Sequence, residues 1–463
     1  SVAVRWSAWL RHQEEEERRQ GAAAAEAAAE AARRGRGLAL VFLLVAVLGT
    51  AVALLLLLPA DARLAALLAA PPEETAHVLT LRPWFAACLP LLYLGLMAQG
   101  VLAGQGRFAL LRLFDVAATL ALIVLAAVAV AAELPFLWVL GGFLALQAAK
   151  ALVFVLASLA WLRRRRRAGA GASGRGAAAL LFRELRTLAP SQLVSSGTTM
   201  LPPLVVVWVG GAPLLGLYDA LRRIPQAIKQ LNGMVRTTVL PAAVSFADRP
   251  AHRRALAERG SFVVGLAFAP LAVTLGVFAA PLLALWLGPD YAVHAWVFLL
   301  FMLELTLQEL QGVLSAAARA DLRVVRRETL IRALHLLLLL PLLALLLRPD
   351  DLLPAAILML ALSLLARIAT GFVYLPHFRL GPAAWIWSQT RLVALPALIA
   401  GGALWASDGL PAAWRLGAVA PAALALALLL CLLTARGEER VAIRQTWGEI
   451  GRLLRRRRAA SPA

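Results

Sequence analysis

The chain predicts an all-α polytopic membrane protein, and three observations carry that expectation. Its 463 residues are 61% hydrophobic, with a mean hydropathy of +0.78. Apolar runs of about 20 residues, enough for a helix to cross a hydrocarbon core of roughly 30 Å, recur along its whole length. Twelve are legible, at 38–59, 85–104, 109–132, 136–160, 189–209, 216–238, 261–287, 295–317, 328–347, 353–377, 390–406 and 413–434. Finally, when successive runs are given alternating directions, the connections sort by charge. One side (1–36, 105–112, 163–187, 249–259, 319–332, 379–391, 435–463) holds 36 Lys and Arg, and the other (60–84, 133–135, 210–215, 288–294, 348–352, 407–412) holds three. This positive-inside pattern makes the rich side, and both ends of the chain, cytoplasmic. It also directs the net charge of +20 toward anionic headgroups and away from nucleic acid.

From the N-terminus, 12–36 reads as a charged, Ala-rich helical connector on the cytoplasmic face. Four spans follow it, making 1–162 a first-lobe remnant. The basic linker 163–187 opens with five arginines and continues as a Gly/Ala hinge. Its Gly169-x-Gly171-x-x-Gly174 follows no strand and is not read as a nucleotide fingerprint. Six spans make a second lobe over 188–378, and two more occupy 379–434. The tail 435–463 sets Trp447, Ile450, Leu453 and Leu454 against many arginines, as in an amphipathic helix lying on anionic lipid.

An internal repeat supports this division. Gln99-Gly100-Val101-Leu102 recurs as Gln311-Gly312-Val313-Leu314, and at the same offset Arg107 matches Arg319 and Leu110 matches Leu322. The two copies lie six spans apart, so the repeating unit is six helices. The later copy is fourth in its lobe and the earlier only second, so two helices are expected ahead of Ser1. The expected fold is therefore two six-helix lobes, the first lacking two helices, plus two C-terminal helices, with about twelve spans in this chain.

The most informative span is 216–238. On a helical wheel at about 100° per residue, Asp219, Arg222, Arg223, Gln226, Lys229, Gln230, Gly233, Arg236 and Thr237 fall within roughly a 140° arc. Charge in a bilayer costs a few kcal/mol per group, so such a face belongs on a bundle interior or a watery path. Asp219 is spaced to pair with Arg222 or Arg223 on the same helix. Arg236 lies near the inner interface, where it can snorkel. Lys229 is about 20 Å in and has no acid three or four residues away. Lys150 also lacks a local partner, and with Arg367 these are the cations hardest to assign to structure. Further stripes run through Gln192, Ser195, Ser196 and Thr199, through Glu304, Gln308, Gln311 and Ser315, and through Ser363, Arg367, Thr370 and Tyr374. Glu304 is the candidate coupling carboxylate, or else a hydrogen-bonding group between helices. The Ser/Thr/Gln stripe of 189–209 suits sugar contact or interhelical packing.

No catalytic constellation accompanies these stripes. The six histidines are scattered, Cys88 and Cys431 both sit in apolar runs, and the sequence holds no Walker A or G-x-S-x-G motif. An enzyme, a cofactor and a metal are not expected.

The stretch from Val206 to Asp248 resembles helices seven and eight of polysaccharide flippases in the multidrug/oligosaccharidyl-lipid/polysaccharide (MOP) superfamily. Gly216, Tyr218 and Ala220 stand nearest to its opening motif, with Ala220 one position early, and Pro241, Ala242 and Ser245 to its exit. Gly104-Gln105-Gly106-Arg107-Phe108 is similar to that family's fourth-helix end. The resemblance implies two lobes around a central cavity, often with two extra C-terminal helices. It implies alternating-access transfer of an undecaprenyl-pyrophosphate-linked oligosaccharide across the bacterial inner membrane, in polysaccharide or O-antigen export. Arg222, Arg223, Lys229, Lys150 and Arg367 would then meet the pyrophosphate, with Gln226, Gln192 and Ser195 toward the sugars. The partners expected are membrane lipids, that anionic lipid-linked oligosaccharide and a glycan polymerase. Two other classes fit the same residues: a cation-coupled drug or metabolite exporter dominated by Glu304, and a non-transporting component of a polysaccharide-synthesis complex.

Overall fold

The computed structural model describes residues 41–54, 57, 72–105, 107–134, 136–168, 177–245, 250–435, 437 and 439–445. The connector 12–36, the glycines at 169, 171 and 174, and the amphipathic segment around Trp447 lie outside the described residues, as do the side chains of Arg112 and Arg236.

The described residues form an all-α protein whose one β feature is an isolated bridge between Arg348 and Asp351. In order, the helices are α1 (Val41–Leu54), α2 (Pro72–Gly104), α3 (Phe108–Ala131), α4 (Phe136–Ala168), α5 (Ala177–Ser245), α6 (Pro250–Val277) and α7 (Ala279–Trp286). There follow α8 (Ala295–Leu310), α9 (Gly312–Ala318), α10 (Leu322–Leu346), α11 (Leu353–Phe378), α12 (Pro382–Ala406) and α13 (Ala420–Leu433), the last entered through a π turn at Arg415–Val419. Among the described residues, nine helical stretches are long and apolar enough to cross a membrane. One of these, Arg186–Gly233, contains two of the predicted spans. Val41–Leu54 is shorter. The helix Pro382–Ala406 falls outside the nine, its apolar character lowered by Gln389, Arg391, Gly401 and Gly402. The chain is a multi-pass membrane protein.

Several boundaries have a local cause. Asp321 caps α10 by accepting from the Arg323 amide at 2.8 Å, and Asp351 accepts likewise from Leu353 before α11. Proline sits in the first turn of α11 and of α12, where its missing N–H is not needed. Within α5, a straight helix of 69 residues would run about 100 Å, far beyond any bilayer. It is interrupted at Gly211, whose φ of 70° and ψ of −171° lie in a region open essentially to glycine alone. A β-carbon there strains the backbone, so Gly211→Ala is expected to destabilise by about 2 kcal/mol, read as a lowered melting temperature in detergent. An unchanged melting point would show that the limbs do not depend on this conformation.

The chain divides into two compact units. The first comprises residues 1–189 and 240–245, the second 190–239 and 246–463. In the first, α2 lies along α4 through small residues: Gly95 sits against Ala151, and Ser158 donates to the Ala98 carbonyl at 3.2 Å. Phe114 of α3 meets Phe154 of α4 edge to face.

In the second unit, Tyr218, Leu221 and Ile228 of α5 pack into a core with Phe298, Phe301, Met302 and Leu305 of α8. Leu339 and Leu343 of α10 and Ala355, Ala356 and Met359 of α11 complete it. Exposed Trp208, Trp286, Trp296, Trp405 and Trp414 all flank the charge-poor connections near Gly211, Gly288 and Gly409, as interfacial tryptophans do. At its end, buried Arg391 of α12 pairs with Glu439 at 2.6 Å and donates to the Thr434 carbonyl, while Ser388 donates to the same Glu439. This ties the segment after α13 onto α12.

Candidate functional site

The second limb of α5 explains why charge is tolerated here: its polar arc divides into two strips. Asp219, Arg223, Gln226 and Gln230 are exposed and fall within about 60° of one another. Arg222, Lys229 and Asn232 turn inward toward α8 and α11.

Arg222 is the centre of the inward group. Its guanidinium donates to the Tyr218 hydroxyl at 2.7 Å and to the Met359 sulfur at 3.7 Å. It lies 5.2 Å from the Tyr218 ring centroid and 5.0 Å from that of Phe301. Its carboxylate partner is Glu304, at 3.4 Å. The expected pairing of Asp219 with Arg222 is not formed; the ion pair runs across helices, because Glu304 is buried on α8 while Asp219 points outward.

Glu304 heads a polar line along α8. Its Oε1 accepts from Gln308 at 2.7 Å and from Ser363 of α11 at 3.3 Å. Gln308 in turn accepts from Lys229 at 3.5 Å. One turn on, Asn232 donates to Glu309, and both are buried. The helix then breaks at Gln311, whose side chain donates to the Arg367 carbonyl and accepts from Thr370, each at 2.9 Å. A run of tryptophan-flanked apolar helices thus encloses a connected polar seam that a pure lipid-facing bundle would not need.

Of the sequence candidates, the second unit brings Arg222, Lys229, Glu304 and Arg367 onto facing sides of α5, α8 and α11. Arg223 and Gln226 stay on the exposed strip, Gln192 is exposed and Ser195 is half-buried on the first limb of α5. Lys150 belongs to the other unit. It pairs with Asp115 of α3 at 3.4 Å, a partner 35 residues away that spacing on its own helix did not reveal.

Sequence reasoning missed a second charged group. Glu328 of α10, 1% exposed, pairs with Arg332, approaches Arg319 at 3.8 Å and accepts from Ser315 at 2.8 Å. Its sequence, RRETLIR, reads as a solvated cytoplasmic helix end, and only Asp321 capping α10 signals that the helix has already begun there.

Of the two repeat copies, Val101 and Leu102 in the first unit and Val313 and Leu314 in the second are all fully buried. The matched arginines both lie in the connection that follows, Arg107 immediately before α3 and Arg319 immediately after α9.

No curated protein and no solved structure matches the chain. A family model described as "Polysaccharide biosynthesis protein" matches residues 32–295, more than half of its length. That region runs from before α1 to the start of α8, so it takes in the polar limb of α5 and stops short of Glu304. On this match, a membrane protein with a buried cationic seam belongs to the polysaccharide biosynthesis protein family.

Proposed function

We propose that the protein is a transporter, not an enzyme, that flips an undecaprenyl-pyrophosphate-linked oligosaccharide across the bacterial inner membrane by alternating access. The observation that carries this reading is Arg222. It sits on two aromatic rings and holds only a 3.4 Å contact to its carboxylate. A planar guanidinium held this way is pre-shaped for bidentate capture of phosphate oxygens. Lys229, two side chains away along Gln308 and Glu304, extends the positive surface. The exposed strip of Asp219, Arg223, Gln226 and Gln230 supports a wet path beside it, since four polar groups on one helical stripe are costly against lipid. Glu304, buried among Arg222, Gln308 and Ser363, is the group that would couple movement to a cation. Lipids, the anionic glycolipid and a glycan polymerase are its proposed partners, and the basic connections its cytoplasmic side.

The test is export of surface glycan in a strain lacking its own flippase. The unsubstituted protein is expected to restore it. Arg222→Gln and Lys229→Gln are expected to cut it about tenfold each at unchanged protein level, the scale of one lost charge-assisted hydrogen bond of about 1.5 kcal/mol. Full export by both variants would end the proposal.

A further inference from the structure

Arg319 and Arg332 gather at the buried carboxylate of Glu328, and Arg367 of α11 lies within electrostatic reach of it. Arg332 pairs with Glu328 through its Oε1, the oxygen that Ser315 and Arg319 also approach, and donates to Ser315 at 3.3 Å. Tyr374, 0% exposed, lies beside Glu328 and Ser315. Arg367 is the odd member. Arg332, another cation, is among the charged groups within its electrostatic reach. The Arg367 Nε is buried and, among the described residues, makes no hydrogen bond. Glu309 is within electrostatic reach but is engaged by Asn232, and even with its charge the group stays cationic. An excess of half-buried guanidinium within a membrane-spanning lobe is costly unless an anion or water completes it.

The position is as telling as the charge. Two helices measure the separation from Arg222 independently. On α8 and α9, Glu304 serves the Arg222 group and Ser315 the Glu328 group, eleven residues or about 16 Å further on. On α11, Ser363 contacts Glu304 and Tyr374 lies beside Glu328, the same spacing and about the same rise. Between them lie polar rungs, Gln308, Gln311 and Thr370, and the break at Gln311. The far group lies at the Arg-rich start of α10, where an anion would enter from the basic side.

We infer that Arg319, Arg332 and Arg367 around Glu328 form a second phosphate-binding station, about 16 Å along the same lobe from Arg222, with Arg332 and Arg367 as the binding guanidiniums. This rests on the flippase reading. It adds that the diphosphate is handed from one station to the next instead of resting at a single central site. Glu328 holds Arg332 and Arg319 in place while the station is empty.

The test is isothermal titration of inorganic pyrophosphate into the full chain, in nanodiscs of phosphatidylcholine. Two pyrophosphates are expected per chain. Arg222→Gln is expected to remove one, and Arg332→Gln or Arg367→Gln the other, with affinity at the affected station falling at least about tenfold. Arg332→Gln leaves Glu328 to Arg319 alone, so Arg367→Gln, which strips no carboxylate of its partner, carries the test if that protein does not fold. A single site, lost with Arg222→Gln and untouched by Arg367→Gln, overturns the second station and leaves the flippase reading standing. No binding at all overturns both. Repeating the titration with phosphatidylglycerol in the discs separates the sources of phosphate. Stoichiometry held at two means the station takes a diphosphate. A fall to one, with retained phosphatidylglycerol lost from Arg367→Gln in native mass spectra, supports phosphate binding there but assigns the station to a lipid headgroup and overturns the hand-off.

Discussion

Glu304→Ala is expected to destabilise the second unit by about 3 kcal/mol, in the range seen when one partner of a buried ion pair is removed. The Glu304 side chain is 5% exposed and that of Arg222 17%, so water screens the pair little. Deleting the carboxylate leaves the guanidinium with a phenol, a thioether and two ring faces, none of which neutralises it. It also strips Gln308 and Ser363 of their shared acceptor. Glu304→Gln restores an acceptor but not the charge, and is expected to recover less than half of the loss. In Arg222→Met/Glu304→Gln no buried charge remains, and stability is expected to return to near the parent value. The measurement is a thermal melt of the purified protein for both singles and the double. Strictly additive losses would mean that the 3.4 Å contact contributes nothing and that Glu304 stabilises its lobe by another route. The cycle separates the structural part of the pair from its part in transport: a double variant that is stable yet inactive assigns the Arg222–Glu304 pair to transport.

How much of this was legible in the sequence follows from which interactions are local. The spans are readable because hydropathy acts over about 20 consecutive residues, and the predicted spans within the described residues fall on helix. The connections at 210–215 and 379–391 were readable from where the apolar runs end, while the irregularities at Phe278 and Gln311 fall inside such runs and were not. Polar stripes were visible at i, i+3 and i+4, but their partners were not. Arg222 finds Glu304, Lys150 finds Asp115, and Arg391 finds Glu439, each pairing set by packing between helices. Glu328 was hidden for the opposite reason. Its neighbours in sequence are arginines that look solvated, and its burial depends on Ser315 and Tyr374 arriving from other helices.

The second large effect is expected in the other unit, at a residue without any side chain. A β-carbon on Gly95 would lie 2.4 Å from the Ala151 β-carbon and 2.7 Å from its α-carbon, so one backbone must move for the other. No rotamer change relieves that overlap, in contrast to Gly142, where the obstacle is the end of the Leu125 side chain. The contact also holds the register in which Ser158 reaches the Ala98 carbonyl, and both residues are 0% exposed. In a bilayer, helices associate through such close approach more than through hydrophobic gain, because lipid is as apolar as the side chains. Gly95→Val is therefore expected to cost about 3 kcal/mol, the upper end for overpacking. Gly141→Ala on α4, with nothing within 4 Å of its added carbon, is the matched control and is expected to be neutral. A lowered melting temperature confined to Gly95→Val establishes the crossing. Equal melts for the two would mean that α2 and α4 separate readily, and the rigidity of the first unit would then have to come from α3 through Phe114 and the Asp115–Lys150 pair.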